Sequence, residues 1–310
     1  MSERRTLALP LGLVGLFVAL VALGALTAVA QVPGAQAPRP SSFTTRVWDF
    51  TTSPAGPTRA VVMVPAAMRP GVRLPLLVAF HGWGETQRGW ERGAWGWSQD
   101  YELGASDHEL RRASLRVEAF LGFVDPSRFR RLRRDLARRP YQGVIVVAPY
   151  TPDVLDPDAG DRSRDYGDWV VNTLIPKARA ELPVLTDRGA TGIDGVSLGG
   201  FFALETGLLH PETFGAVGAL QAAVYRRVDR VLARHVPSAS RPPQRIRLVT
   251  SRGDRLTRDI RALDAAMSAR GIPHELREVE GPHDYIFNRG AGGVEMLLFH
   301  DRALRGLPAE

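Results

Sequence analysis

Gly195-Val196-Ser197-Leu198-Gly199 decides how this chain is read, because of what flanks it. The run Ala190-Thr191-Gly192-Ile193-Asp194 before it has the character of a buried strand. Gly200-Phe201-Phe202-Ala203-Leu204-Glu205-Thr206 after it has helical character. Strand, sharp turn and helix form the setting in which Gly-x-Ser-x-Gly is a nucleophile elbow. Small residues at 195 and 199 let the chain turn tightly, so that the Ser197 hydroxyl stands above a sheet. The pentapeptide alone would equally suit a Gly-rich helix start with an inert serine; the flanks, and an Asp and a His downstream, favour the elbow.

Working outward, continuous apolar runs at Leu74–Phe80 and Val144–Ala148 suit strands covered on both faces of a parallel sheet. Shorter runs of this kind lie at Thr191–Asp194, Ala216–Leu220 and Ile246–Thr250, with a last strand at Glu275–Val279 and two first ones at Arg46–Thr52 and Arg59–Val64. Helical segments alternate with them at Trp169–Glu181, Leu198–Leu209, Arg226–His235, Thr257–Arg270 and Gly292–Arg305. That alternation predicts βαβ units in a mostly parallel sheet with helices on both faces.

One connection is too long for a single crossover helix: residues 85–139 read as an insertion after the third strand. Its first part, with Trp83 just ahead of it, holds four of the six tryptophans, Trp83, Trp90, Trp95 and Trp97. Its second part has helical patterns at Asp107–Leu121 and Pro126–Arg138 and ten arginines between Arg111 and Arg139. Trp90, Trp95 and Trp97 are candidates for lining a substrate pocket under a lid; equally, they suit a small core of the insertion's own. For the arginines a solvated face is the favoured reading.

The 310 residues suffice for one large α/β domain, and 44% hydrophobic and 24% charged residues are ordinary for a globular protein. The net charge of +7 comes almost wholly from arginine, since Lys177 is the only lysine. No recognised nucleic-acid module accompanies that charge, so a nucleic-acid partner is not expected. The absence of cysteine excludes disulfides, a thiol nucleophile, thiolate metal sites and a lipoprotein anchor. No His/Asp/Glu cluster has metal-ligand spacing, and no cofactor is expected.

Arg4-Arg5, the uncharged stretch from Thr6 to Ala30 and the Ala28-Val29-Ala30 motif read as an export signal. The stretch of 25 residues is also long enough to span a bilayer. Residues 1–30 are thus a signal peptide or an N-terminal membrane anchor, and either puts the rest in the periplasm or outside the cell. The Pro-rich residues 31–45 read as a linker and residues 46–310 as the domain.

Serine at its own pKa is a poor nucleophile and needs a base, with an acid to orient that base. His283, in Gly281-Pro282-His283-Asp284-Tyr285, sits on a Gly/Pro turn just after the last strand and is the best base; His210, His274, His300, His108 and His235 lie in helical or strand contexts that suit the role less. Asp254 follows the strand Ile246–Thr250 and is the best acid, with Asp259 one helical turn further on as its rival. Asp284 adjoins the base, which suits a supporting role. After the strand Leu74–Phe80, the turn His81-Gly82-Trp83-Gly84 offers backbone N–H groups to a developing oxyanion, the expected donors being the amides of Trp83 and Leu198. His81 itself reads as a hydrogen-bonded turn residue.

These residues resemble the putative-esterase group of the α/β-hydrolase superfamily, which includes S-formylglutathione hydrolases, enterochelin, feruloyl and acetylxylan esterases and mycolyltransferases. The resemblance rests on His81–Gly84, Asp168-Trp169 leading to Leu174-Ile175-Pro176, Gly195–Gly200, His210-Pro211-Glu212-Thr213-Phe214-Gly215-Ala216 and Gly281–Asp284, and spans roughly residues 58–304. It implies an α/β-hydrolase fold and a serine carboxylesterase acting on a small-molecule or polysaccharide-linked ester; the N-terminal segment marks the protein for export. The same three residues would serve an acyltransferase, and a catalytically inactive envelope-binding protein is the alternative of a different class. The insertion and Gln221, where the group often carries Ser-Gly, depart from the pattern and alter pocket walls.

Overall fold

In the computed structural model the residues described are 39–308, except 113–114, 156–160 and 238–241. Residues 1–30, read as a signal peptide or membrane anchor, and most of the expected linker lie outside them. Eight strands form one sheet: β1 Phe43–Phe50, β2 Thr58–Pro65, β3 Leu76–Phe80, β4 Ile145–Pro149, β5 Thr191–Gly195, β6 Ala216–Leu220, β7 Arg245–Gly253 and β8 Glu275–Pro282. Their spatial order is β1-β2-β4-β3-β5-β6-β7-β8. β1 pairs antiparallel with β2, and β2 with β4; every other pairing is parallel. The expected fold class therefore holds. β1 begins at Phe43, inside the stretch expected to be linker, because its backbone pairs with β2 from Phe43↔Pro65 onward.

The central strands β3, β4 and β6 are apolar throughout because each of their faces meets a helical layer. Along β3, Leu76, Val78 and Phe80 belong to one core, with Phe201, Phe202 and Leu204 of the helix Leu198–Leu209. Leu77 and Ala79, pointing the other way, belong to a second core with Val294, Leu297 and Leu298 of the helix Gly293–Ala303. A helical segment that starts at Arg162 rather than Trp169, and runs through a wide π turn at Val170–Leu174 to Glu181, covers the first face.

The insertion after β3 corrects several expectations. The stretch expected as one helix, Asp107–Leu121, is a helix at Leu103–Leu110 followed by a 3-10 turn at Val117–Phe120. Asp107 does not open a helix; it is buried and takes hydrogen bonds from Ser42, Arg111 and the Tyr141 hydroxyl. The second helix, Pro126–Arg138, is as expected, with Asp125 accepting from the N–H groups of Ser127 and Arg128 as its N-cap. Nor are the arginines simply a solvated face. Arg128 is buried and forks onto Glu295, and Arg111, Arg116 and Arg139 pair with Asp107, Glu109 and Asp135. These pairs join the insertion to the C-terminal helix and to itself.

The carboxyl ends of β3, β5, β7 and β8 lie along one rim of the sheet. β3 connects onward to β4 on one side, while β5 lies on its other side. Such a reversal of winding leaves a crevice at the carboxyl ends of the strands.

Candidate active site

Ser197 lies two residues beyond β5, between that strand and the helix Leu198–Leu209, with φ 57° and ψ −114°. This is a conformation that residues with a Cβ rarely adopt, and it throws the side chain out of the turn. The turn is too tight for anything but glycine on either side. A Cβ on Gly195 would stand 2.3 Å from the Gly199 carbonyl oxygen, and one on Gly199 2.4 Å from that of Phe80. The backbone of Ser197 is held by its N–H to Leu220 of β6 and by its carbonyl, which accepts from Ala223.

Asp254 follows β7 directly and His283 follows β8 directly. The His283 Nε2 is 3.1 Å from the Ser197 Oγ, and its Nδ1 is 2.8 Å from Asp254 Oδ1. Asp254 is buried; it also accepts from the Leu256 N–H at 2.9 Å and the Thr250 hydroxyl at 3.1 Å. Those donors fix the carboxylate, and the imidazole tautomer that gives Nδ1–H to Asp254 leaves Nε2 free to accept from serine. Asp259 sits half-buried in the first turn of the helix Thr257–Ala269 and makes no hydrogen bond to His283. Asp284 accepts the Phe287 N–H at 3.0 Å and so shapes the loop after His283.

Trp83 and Leu198 each open a helix, so neither amide has a carbonyl four residues back within it. Both residues line, with Ser197, a cleft of about 600 Å³ whose other walls include Asp153, Ala223, Tyr225 and Arg255. His81, buried completely, bonds Gly82 O through Nδ1 at 2.9 Å and accepts the Thr151 N–H through Nε2 at 2.9 Å. Burial pulls its pKa down to about 4, so it stays neutral and staples the turn to the strand end.

The three tryptophans expected to line a substrate pocket do not reach the serine. Trp97 is fully buried and edge-on to Tyr101 at 4.9 Å. Trp95 packs against the same core, and Trp90 lies under the Arg59 guanidinium, 5.4 Å from its carbon. The core that Trp97 and Trp95 join includes Val61, Leu77 and Val146 of the sheet, so it is not the insertion's own. Trp83, 53% exposed, is the tryptophan that lines the clefts at Ser197.

Sequence reading missed a polar cluster that ties the two loops together. Glu85, buried, accepts from the hydroxyls of Tyr101 and Tyr285, the latter at 2.5 Å, and from Arg88 at 2.7 Å. Burial and the Glu85 carboxylate hold the Tyr101 pKa well above its usual value, and the same two causes push that of Tyr285 up to about 12. Both hydroxyls therefore remain donors at any physiological pH. Gln221 was flagged as a departure, and its amide reaches Ser251 Oγ at 2.7 Å and Pro282 O at 2.9 Å. It braces the residue before His283.

Among the described residues no group of three or more His, Cys, Asp or Glu side chains could hold a metal ion, and no helix is long and apolar enough to cross a membrane.

Solved structures share this architecture. A ferulic acid esterase superposes with a TM-score of 0.60 at 16% identity, covering 85% of this chain and 99% of that one. The chain has the α/β-hydrolase fold. An S-formylglutathione hydrolase from Staphylococcus aureus gives a TM-score of 0.54 at 13% identity, over 84% of this chain and 100% of that one. Residues 139–287 match the family model described as "Putative esterase". An iron(III) salmochelin esterase from Escherichia coli is 30% identical over 158 residues, 44% of this chain and 38% of that relative, so the match spans under half of either protein. Together these likenesses match the putative-esterase group of the superfamily.

Proposed function

We propose that this α/β-hydrolase is an exported serine carboxylesterase working through an acyl-enzyme on Ser197. The observation that carries the reading is the continuous relay from the Ser197 hydroxyl through both nitrogens of His283 to a buried, hydrogen-bonded Asp254. The esterase family match and the esterase relatives support ester hydrolysis as the reaction class.

Ser197 Oγ attacks the ester carbonyl as its proton passes to His283 Nε2. The imidazolium that forms is stabilised by Asp254 through Nδ1–H. Charge develops on the carbonyl oxygen, which the amides of Trp83 and Leu198 would receive; one such donor is worth about 3 kcal/mol in the transition state. His283 then gives its proton to the departing alcohol. Water, deprotonated by the same imidazole, releases the acid and restores the serine. Export rests on the sequence from Arg4 to Ala30, where a signal or an anchor would place the domain outside the cytoplasm.

Incubation with a fluorophosphonate probe, followed by peptide mapping, tests the reading: a single adduct on Ser197 is expected. Absence of an adduct from the folded protein overturns it and favours a binding protein of hydrolase fold.

A further inference from the structure

We infer that Arg255 recognises an anionic group on the substrate, so that the preferred ester carries a carboxylate or similar anion within reach of the scissile bond. This rests on the esterase reading above and narrows it to a substrate class.

Two clefts meet at Ser197. The larger, about 600 Å³, runs past Leu198, Ala223 and Tyr225; the smaller, about 190 Å³, runs past Gly82, Tyr101, His283 and Tyr285. Among the described residues, Arg255 and Trp83 are the only ones besides Ser197 that line both. Arg255 is placed there by the fold: it directly follows Asp254, whose carboxylate is tied down by Leu256 N–H and Thr250.

What sets Arg255 apart is its freedom. Its side chain is exposed, and among the described residues it forms neither an ion pair nor a hydrogen bond. The acids in the same clefts are engaged. Asp153 accepts the Leu155 N–H at 3.1 Å, Asp284 accepts the Phe287 N–H, and Glu85 is held by two tyrosines and Arg88. Much of the protein's arginine is committed to carboxylates, as Arg88, Arg111, Arg128, Arg230 and Arg302 show. A guanidinium left without a partner at the junction of two clefts presents a planar fork suited to a carboxylate, and binding one displaces only water. Because Arg255 lines both clefts, the anion could stand on the acyl or on the alcohol side of the ester.

Two ester pairs separate those cases. On the acyl side, mono-4-nitrophenyl glutarate is compared with neutral 4-nitrophenyl pentanoate; on the alcohol side, 3-carboxyphenyl butyrate with 3-carbamoylphenyl butyrate. The readout is the ratio of kcat/KM, charged over neutral. In at least one pair Arg255→Glu is expected to lower the wild-type ratio about 10- to 100-fold, as for loss of a hydrogen bond to a charged group. Arg255→Lys should retain most of the preference and Arg255→Gln an intermediate part. Added salt should lower the wild-type ratio without any substitution. Damage to neighbouring Asp254 would slow both members of a pair alike and leave the ratio intact. A ratio that is the same in wild type and Arg255→Glu for both pairs, and indifferent to salt, overturns the assignment while the esterase reading stands. A folded wild type that turns over none of the four esters, and takes no fluorophosphonate on Ser197, overturns both.

Discussion

The Gly82 N–H donates to the Tyr101 hydroxyl at 3.1 Å, so the turn that carries Trp83 is anchored to the inserted segment rather than to the sheet alone. Tyr101 in turn donates its hydroxyl hydrogen bond to buried Glu85, and Glu85 also holds Tyr285 from the loop of His283. One carboxylate thereby links the turn that carries Trp83 to the loop that carries His283. The insertion contributes to the site through this polar cluster, not through its tryptophans.

Tyr101→Phe should therefore lower kcat for 4-nitrophenyl butyrate about tenfold with little change in KM. The lost hydroxyl loosens an amide whose full removal would cost about 100-fold or more. It also leaves Glu85 one donor short, so urea unfolding should show about 1–3 kcal/mol less stability. A change in KM alone, with kcat kept, would mean the cluster shapes substrate binding and not the oxyanion site.

Substitutions at Ser197 separate strain from chemistry. Ser197→Ala and Ser197→Gly should both abolish ester turnover while keeping the fold. With φ at 57° and ψ at −114°, the Cβ is strained in the serine and in the alanine but not in the glycine. Denaturant unfolding should thus find Ser197→Gly more stable than Ser197→Ala by about 1–3 kcal/mol. Equal stabilities would place the strain elsewhere in the elbow.

Asp254→Asn should reduce kcat by roughly 10³- to 10⁴-fold, because an amide cannot fix the imidazole with Nδ1 protonated and Nε2 free. Asp259→Asn, in a position without a bond to His283, should stay within about twofold. The reverse ranking, in a steady-state assay of the two variants, would reassign the acid.

Much of this was legible in the sequence, for physical reasons that also mark the limit. The elbow shows because its requirements are local: two glycines, a serine and the elements on either side. Strands such as β3 and β4 show because burial on both faces demands unbroken apolar runs. The insertion does not, since its shape depends on distant partners. Asp107 looks like a helix start until Ser42 and Tyr141 reach it, and Arg128 looks solvated until Glu295 closes over it. Trp97 and a pocket tryptophan are identical by composition; which core encloses the ring is decided by strands on the far side of the sheet. Tyr101 and Tyr285 meet through Glu85 although no spacing in the chain relates them. Gln221 could have been found, because a buried amide after β6 faces the β7 and β8 ends where the acid and base emerge.

His81 makes stability depend on pH in a window of its own. Its pKa is about 4 in the folded protein and 6.5 in the unfolded chain, so the unfolded state binds the extra proton. The stabilisation from keeping it neutral is fully present above pH 6.5 and is lost as pH falls toward about 4; a gap of this size is worth about 3 kcal/mol. His81→Gln, whose amide oxygen can still accept the Thr151 N–H, lacks the titration. Urea unfolding at about pH 7.5 and 4.5 should show the wild type losing about 2.5 kcal/mol more than the variant between the two conditions. Other acids contribute equally to both proteins, so the difference of differences isolates His81. Parallel losses in the two proteins would mean that the imidazole is protonated inside the fold, and that its bond to Thr151 does not survive mild acid.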